Sequence, residues 1–167
     1  DVQAAVRAEV DAVLGSGLPA PERLADLRYL EQVVNETLRL YPPIHLGSRI
    51  AATDLTFQGY HIPAGRRVLY SIYLTHRDPR YWPKPAQFHP ERFAEGERQR
   101  IPYTFLPFGG GPRNCLGMAF AQVEAQVVLA RILQKFDLEF TGHPVRVHMG
   151  ATLEPRPGVR IHVRRRT

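Results

Sequence analysis

The chain is organised around residues 105–121, which read FLPFGGGPRNCLGMAFA. This stretch contains Cys115, the only cysteine of the 167 residues, shortly after a run of three glycines. Three consecutive glycines are costly to order, so they indicate a backbone that turns tightly or approaches another group closely. An apolar helical pattern follows the cysteine, and a helix start favours thiolate over thiol. The stretch therefore predicts an activated sulfur, which could either attack a substrate or hold a metal.

Length and composition limit the class of protein. A chain of 167 residues with 44% hydrophobic and 23% charged residues is typical of one globular domain with a core. A single cysteine excludes an internal disulfide and the zinc sites that need two or more cysteines. No run approaches the roughly 20 apolar residues of a membrane span, and no signal peptide is visible. Because the chain begins at Asp1 inside an amphipathic pattern, we expect it to be a piece of a longer protein.

The positive charge is concentrated at the C-terminal end. The net charge is +6, and residues 143–167 carry six arginines against the single acid Glu154. Such a tail could contact nucleic acid, an acidic partner or a membrane surface. We interpret it as a solvated strand face followed by the chain terminus, and we expect no nucleic acid as a partner.

Apolar residues recur at helical spacing in three segments. They predict helices over residues 2–14, over residues 26–40 with Asp26 as N-cap, and from just after Cys115 to about Phe136. The third pattern is apolar nearly all round, which predicts a buried core helix. The face predicted to be apolar on the second helix consists of Leu30, Val33, Val34, Thr37 and Tyr41.

The remaining patterns indicate short strands and irregular segments. Residues 54–57 and 60–62 flank a hairpin-like turn, and residues 145–149 and 159–163 resemble a closing strand pair. Residues 76–103 are irregular and rich in proline and aromatic side chains, as in a functional loop. A further strand with period two is predicted from Val68, Tyr70, Ile72 and Leu74. The fold class that these elements predict is mainly α with small β-sheets (α+β).

The chemistry of the cysteine has three interpretations. A phosphate loop at residues 109–111 is weakly supported, because no Lys-Ser/Thr pair follows the glycines. A cysteine nucleophile with a histidine base is possible, although none of the seven histidines lies near Cys115 in sequence. The third interpretation is metal ligation, and its pattern is specific. The residues that form it are Phe108, Gly111, Arg113, Cys115, Gly117 and Ala121.

This pattern resembles the haem-binding loop of the cytochrome P450 family. Residues 36–39 (ETLR) are similar to the family's Glu-x-x-Arg helix motif, and residues 88–93 (FHPERF) to its Pro-Glu-Arg-Phe segment. Residues 60–65 (YHIPAG) and 76–79 (HRDP) also resemble the family. The resemblance implies that residues 1–167 are a truncated, C-terminal haem-binding part of one cytochrome P450 domain. It assigns the haem-binding loop to residues 105–117 and the Glu-x-x-Arg helix to residues 26–40.

The resemblance also implies a cofactor, haem b (iron protoporphyrin IX), with Cys115 as its axial thiolate ligand and catalytic residue. A thiolate ligand donates electron density to the iron and favours cleavage of the O–O bond. Gly109 and Gly111 would keep side chains away from the sulfur and aim N–H groups at it. Phe108 would pack beside the sulfur and exclude water.

Other residues would contact the macrocycle or support the loop. Arg113 and Arg49 would neutralise the haem propionates, since guanidinium binds both oxygens of a carboxylate. The small Gly117 and Ala121 would let the macrocycle lie flat. The resemblance places a buried network at Glu36, Arg39 and Arg92. Without the family, Arg39 points away from the apolar face and forms with Glu36 a solvated ion pair of about 0.5 kcal/mol or less.

The implied activity is that of a haem-thiolate monooxygenase inserting one oxygen atom of O2 into a small apolar organic substrate. Electrons would come from a redox partner, either a ferredoxin or a flavin reductase. The alternatives are a peroxygenase or isomerase of the same haem-thiolate fold, and a non-catalytic basic binding fragment. The isolated chain is expected to be inactive. Composition favours a cytoplasmic, bacterial-type protein, and a membrane anchor ahead of Asp1 is compatible with the sequence.

Overall fold

A computed structural model describes residues 1–94 and 101–166. Within these ranges helices and short antiparallel strands coexist, which confirms the predicted α+β class. In the described ranges, 3-10 turns cover Pro90–Phe93 and Gly111–Arg113. The helices are α1 (Val2–Leu14), α2 (Pro21–Leu24), α3 (Arg28–Leu40), α4 (Ile72–Thr75) and α5 (Met118–Lys135). None of these helices combines the length and the apolar character needed to cross a bilayer.

The strands of the described ranges pair into two-stranded antiparallel sheets. The pairs are β1 with β4, β2 with β3, β5 with β8, and β6 with β7. The strands are β1 (Leu46–Ile50), β2 (Leu55–Phe57), β3 (Tyr60–Ile62), β4 (Arg67–Ser71), β5 (Phe136–Phe140), β6 (Arg146–Met149), β7 (Leu153–Arg156) and β8 (Ile161–Arg165).

The predicted pairing of residues 145–149 with 159–163 is wrong. Strand β6 pairs instead with β7, because the chain reverses directly after Met149, where the Gly150 N–H donates to the Thr152 carbonyl at 3.0 Å. Strand β8 pairs with β5, which follows α5 without a connecting loop. Strand β6 therefore pairs with the next strand in sequence, β7, and β8 pairs with the strand that directly follows α5.

The period-two strand predicted from Val68 to Leu74 ends early. Strand β4 stops at Ser71, and the Ser71 hydroxyl accepts a hydrogen bond from the Leu74 N–H at 3.1 Å. A serine oxygen that accepts from an amide three residues later is a helix N-cap. Ile72 and Leu74 therefore belong to α4, and only the Ile72 side chain is buried.

Helix α3 starts two residues after the predicted N-cap, Asp26, and a different acid caps it. The Glu9 carboxylate of α1 accepts hydrogen bonds from the N–H groups of Tyr29 at 2.7 Å and Leu30 at 2.9 Å. The first N–H groups of a helix have no intrahelical partner, so a carboxylate from elsewhere can satisfy them. This contact fixes α1 against the start of α3.

The core lies where α1, α3 and α5 meet, and the fully buried residues of α5 lie in its C-terminal half. Much of the N-terminal half is exposed, since Phe120 and Val123 keep 72% and 49% of their surface. The prediction of a buried core helix is therefore wrong for this chain, because the described neighbours reach only the later turns. The buried members of the core are Val6, Val10, Leu24, Leu27, Leu30, Val34, Ala130 and Leu133.

Candidate functional site

The loop that carries the cysteine is closed by a backbone hydrogen bond. The Cys115 N–H donates to the Phe108 carbonyl at 2.8 Å. Between them, Gly109 and Gly111 have φ angles of 79° and 70°, in the left-handed region that side chains disfavour. The glycine run is thus explained at two positions by backbone conformation. Phe108 is half-buried, and its shielding of the sulfur stays a prediction.

The middle glycine, Gly110, is required for another reason. A Cβ atom on Gly110 would lie 2.8 Å from Leu106 Cδ2 and 3.2 Å from the Tyr103 ring. Contacts this short force the neighbouring side chains to move. Gly110 was not among the individual site residues predicted from the sequence, although the glycine run that contains it indicated a close approach to another group.

Cys115 is exposed and lies just before the long helix. Gly117 is the N-cap of α5, and the Met118 N–H donates to the Cys115 carbonyl at 3.4 Å. The sulfur therefore precedes the first turn of the helix rather than lying within it.

The surface around the sulfur fits a flat, largely apolar ligand that carries a metal. A Cβ on Gly117 would meet only Cys115 Sγ, at 3.7 Å, which is an ordinary van der Waals contact, so no described atom requires glycine there. Ala121 is half-buried and Phe120 is exposed on the following turn. A thiol donor beside small residues and an exposed apolar helix surface is compatible with a haem whose iron a cysteine thiolate would hold.

Arg49 lies beside this loop. Together with Tyr70, Tyr103, Leu106 and Gly110 it lines a cavity of about 240 Å³. Arg113, in contrast, is exposed at the end of the 3-10 turn that precedes Cys115. The structure therefore brings Arg49 to the cysteine loop from β1, and the binding of propionates by both arginines stays a prediction.

The Tyr70 ring contacts the Arg49 side chain, and Gly47 leaves space for that ring. They are directly opposite each other in the β1–β4 pair, and a Cβ on Gly47 would lie 2.1 Å from the Tyr70 ring. The ring consequently crosses Gly47, and the Arg49 guanidinium carbon lies 5.6 Å from the ring centroid, within the range of a cation–π contact. The Arg49 Nη1 also donates to the Ser48 carbonyl at 2.8 Å.

Arg39 is fully buried, so the prediction that it points away from the apolar face is wrong. Its guanidinium donates to both oxygens of Glu36, at 2.7 and 2.9 Å. It also donates to the carbonyls of His76 at 2.7 Å, Pro85 at 2.9 Å and Gln87 at 3.2 Å. These bonds use all five N–H donors of the side chain.

Glu36 is equally buried and receives two further hydrogen bonds. Its Oε1 accepts from the His89 N–H at 2.8 Å and from Arg92 Nε at 3.3 Å. Arg92 Nη2 in turn donates to the Lys84 carbonyl at 3.0 Å. The structure thus brings Glu36, Arg39 and Arg92 together, in a buried arrangement rather than a solvated pair. Thr37 and Tyr41, predicted on the apolar face of this helix, are exposed.

His76 joins this network to the cysteine loop, although no role was predicted for it. It is fully buried, its Nε2 accepts a hydrogen bond from the Leu106 N–H at 2.7 Å, and its Nδ1 lies 3.1 Å from the Arg39 carbonyl. Burial lowers the pKa of His76 to about 4 and outweighs the opposing hydrogen bond to the Arg39 backbone. Only the surroundings of His76, which come from distant segments, distinguish it from an ordinary loop histidine.

Comparison with known proteins agrees with the geometry. The family model described as Cytochrome P450 matches residues 1–159. The chain is 42% identical over 160 residues to Cytochrome P450 3A13 of Mus musculus, covering 93% of this chain and 32% of the relative. It is 40% identical over 163 residues to Putative cytochrome P450 139 of Mycobacterium tuberculosis (strain CDC 1551 / Oshkosh), covering 94% of this chain and 38% of that protein. The chain therefore spans about a third of the length of the curated relatives it matches.

Proposed function

Because the chain belongs to the cytochrome P450 family, we propose that it forms the haem-binding part of a haem-thiolate monooxygenase. In the proposed reaction one oxygen atom of O2 enters a C–H bond of an apolar organic substrate. The other oxygen leaves as water. Its reduction takes two protons, and two electrons that a redox partner supplies. The family's cofactor, haem b, provides the oxygen-activating chemistry when it is bound.

The observation that carries this proposal is the placement of Cys115. Its side chain is exposed at the end of a loop in which three glycines remove competing side chains. The exposed, apolar start of α5 adjoins it, with Phe120 as its largest side chain. In this proposal Cys115 binds the iron, Phe108 limits water access to the sulfur, and Gly117 and Ala121 allow a flat ring to approach.

The arginines of the site would bind the carboxylates of the cofactor. Arg49 is held over the Tyr70 ring beside the loop, which reduces the rotamer freedom that it loses on binding. Arg113 is on the loop itself, two residues before Cys115. Arg49 comes from β1 and Arg113 from the 3-10 turn, so each would bind a separate carboxylate of the cofactor.

The buried network supports the loop rather than the chemistry. Glu36, Arg39 and Arg92 connect α3 to the irregular segment that follows β4 and α4. In this proposal they fix the path of that segment, and the segment in turn fixes the start of the cysteine loop.

The partners and the location of the protein are part of the same proposal. A ferredoxin or a flavin reductase would deliver the electrons, and the expected location is the cytoplasm. Residues 1–167 alone would retain haem weakly and would not turn over. The reason is that Leu116, Phe120 and Val123, beside the proposed haem surface, have few neighbours among the described residues.

A carbon monoxide spectrum of the full-length protein tests the ligand. The reduced protein should show the red-shifted Soret band of a thiolate-ligated complex, and Cys115→Ala should abolish it. Asn114→Ala, a change of the adjacent exposed residue, is the matched control and should keep the band. An intact thiolate spectrum in Cys115→Ala would remove the proposed ligand and with it the proposed function.

A further inference from the structure

His76 connects two parts of the fold that are far apart in sequence. On one side its Nδ1 lies 3.1 Å from the Arg39 carbonyl, while Arg39 Nη1 donates to the His76 carbonyl at 2.7 Å. On the other side its Nε2 accepts from the Leu106 N–H at 2.7 Å. The ring thus links the last turn of α3 to the start of the cysteine loop.

These contacts define the protonation state of the ring. A carbonyl can only accept, so Nδ1 carries the proton that it donates to Arg39, and Nε2 is left with its lone pair for the Leu106 N–H. Arg39 and Arg77 both disfavour a second proton on His76, and burial does so more strongly. The neutral ring, with one donor and one acceptor, is therefore the form present at neutral pH.

The ring is also held in place by packing. Its centroid lies 5.3 Å from that of Phe105 and 6.5 Å from that of Trp82. Leu106, which it binds, lies two residues before Phe108, and its carbonyl accepts from the Gly109 N–H at 3.0 Å. Movement of the Leu106 backbone would therefore also move the turn that precedes Cys115.

We propose that His76 is a positioning residue for Cys115, acting through the Leu106 amide as a neutral hydrogen-bond acceptor. Loss of the acceptor releases the start of the loop and changes the position of the sulfur, while α3 and its ion pair stay in place. The inference rests on the proposed function only where haem spectra serve as a readout.

Two amide substitutions separate the two nitrogens of the ring. Glutamine is long enough to place an amide oxygen near the position of Nε2, so His76→Gln retains an acceptor for Leu106. Asparagine reaches only the position of Nδ1, so His76→Asn retains the donor to Arg39 and loses the acceptor. His162→Gln, in the exposed strand β8, is the control for a histidine change as such.

Hydrogen exchange of the full-length protein, with and without haem, is the first readout. Peptides that cover residues 101–110 should exchange about tenfold faster in His76→Asn than in His76→Gln, as expected for the loss of one protecting hydrogen bond. Peptides from β5 and β8 should be unchanged. This comparison does not depend on the identity of the iron ligand, so it stays decisive even if the proposed function fails.

The second readout is the fraction of the carbon monoxide complex that shows thiolate ligation. It should stay near the wild-type value in His76→Gln and fall at least about twofold in His76→Asn, in line with a loop that opens more often. Equal behaviour of the two variants in both readouts would overturn the proposal. If His76→Asn does not fold, exchange at Leu106 in the wild type decides. Slow exchange, as in α3, supports the role of His76, and fast exchange, as in an exposed loop, overturns it.

Discussion

Arg39 and Glu36 form a bidentate ion pair with bonds of 2.7 and 2.9 Å, and neither side chain is exposed. Removing one partner of a buried pair leaves a charge without compensation. We expect Arg39→Met to lower the free energy of unfolding by about 3–5 kcal/mol, measured by denaturant titration of the full-length protein. Arg80→Met, which removes a surface pair with Asp78, is the control and should have a much smaller effect. Similar losses in the two variants would contradict a buried role for Arg39.

Arg92 is the third member of the network and should respond to its replacement by lysine. Its guanidinium contacts Glu36 Oε1 at 3.3 Å and the Lys84 carbonyl at 3.0 Å from two different nitrogens. Lysine has one nitrogen and cannot copy this fork. We expect Arg92→Lys to lose about 1–3 kcal/mol of stability and Arg92→Ala to lower the yield of haem-loaded protein. Normal yield and stability in both variants, compared with the exposed Arg146→Ala, would remove Arg92 from the network.

Substitutions at Gly47 and Tyr70 should have non-additive effects on the free energy of unfolding. In Gly47→Ala the new methyl group would occupy the space of the Tyr70 ring, so the ring and the Arg49 guanidinium above it must move. We expect Gly47→Ala to lower the free energy of unfolding by about 1–3 kcal/mol and to lower haem occupancy. Tyr70→Ala should restore stability in the Gly47→Ala background, because it removes the clash. Strictly additive effects in this double-mutant cycle would show that the ring does not limit residue 47.

His76 should make stability depend on pH in acid. Its pKa is about 4 in the folded protein, below the value of about 6.5 expected in the unfolded chain. Between these values the unfolded state binds more protons, so stability is complete above pH 6.5 and falls as the pH approaches 4. This shift in pKa corresponds to a change of up to about 3 kcal/mol in the free energy of unfolding across that pH range. His76→Gln should therefore flatten the fall in stability between about pH 6.5 and 4.5, and an unchanged pH profile would contradict a buried neutral histidine.

Charge reversal at the arginines tests their binding to the cofactor. Arg113→Glu and Arg49→Glu should each weaken haem binding at least about tenfold, because a charge-assisted hydrogen bond is replaced by repulsion of a carboxylate. Haem transfer to an acceptor protein measures this loss. Arg160→Glu, an exposed change in the C-terminal tail, controls for the altered net charge. Equal haem transfer in all variants would exclude both arginines as carboxylate ligands.

Local patterns predicted local structure well. Helix α1, the hairpin of β2 and β3 and most of α5 follow from apolar spacing and turn residues that are close in sequence. Arg39 was predicted to be solvated because the helical wheel puts it opposite the apolar face of α3, but residues 76, 85 and 87 cover that side of the helix. Its burial depends on the carbonyls of residues 76, 85 and 87, which no pattern within α3 reveals.

The same limit applies to other corrections. Glu9 replaced Asp26 as the cap of α3 because packing of α1 brought its carboxylate to the helix start. Strand β8 pairs with β5, although the complete β6–β7 hairpin lies between them in the sequence. His76 gained its contacts from α3 and the cysteine loop, 37 and 30 residues away. Each depends on the distance in space between segments that are remote in sequence.

The carbonyls that Arg39 binds have a consequence for how this region can vary between related proteins. Every residue type has a carbonyl, so substitutions at positions 76, 85 and 87 leave these three acceptors in place. An insertion or deletion between them shifts the acceptors along the chain, and the guanidinium, which is rigid and planar, cannot follow. Because Glu36 also binds the His89 N–H and the Arg92 guanidinium, homologues should differ freely in side chains at positions 85 and 87 but share the same spacing, with changes of length displaced to the chain beyond Arg92.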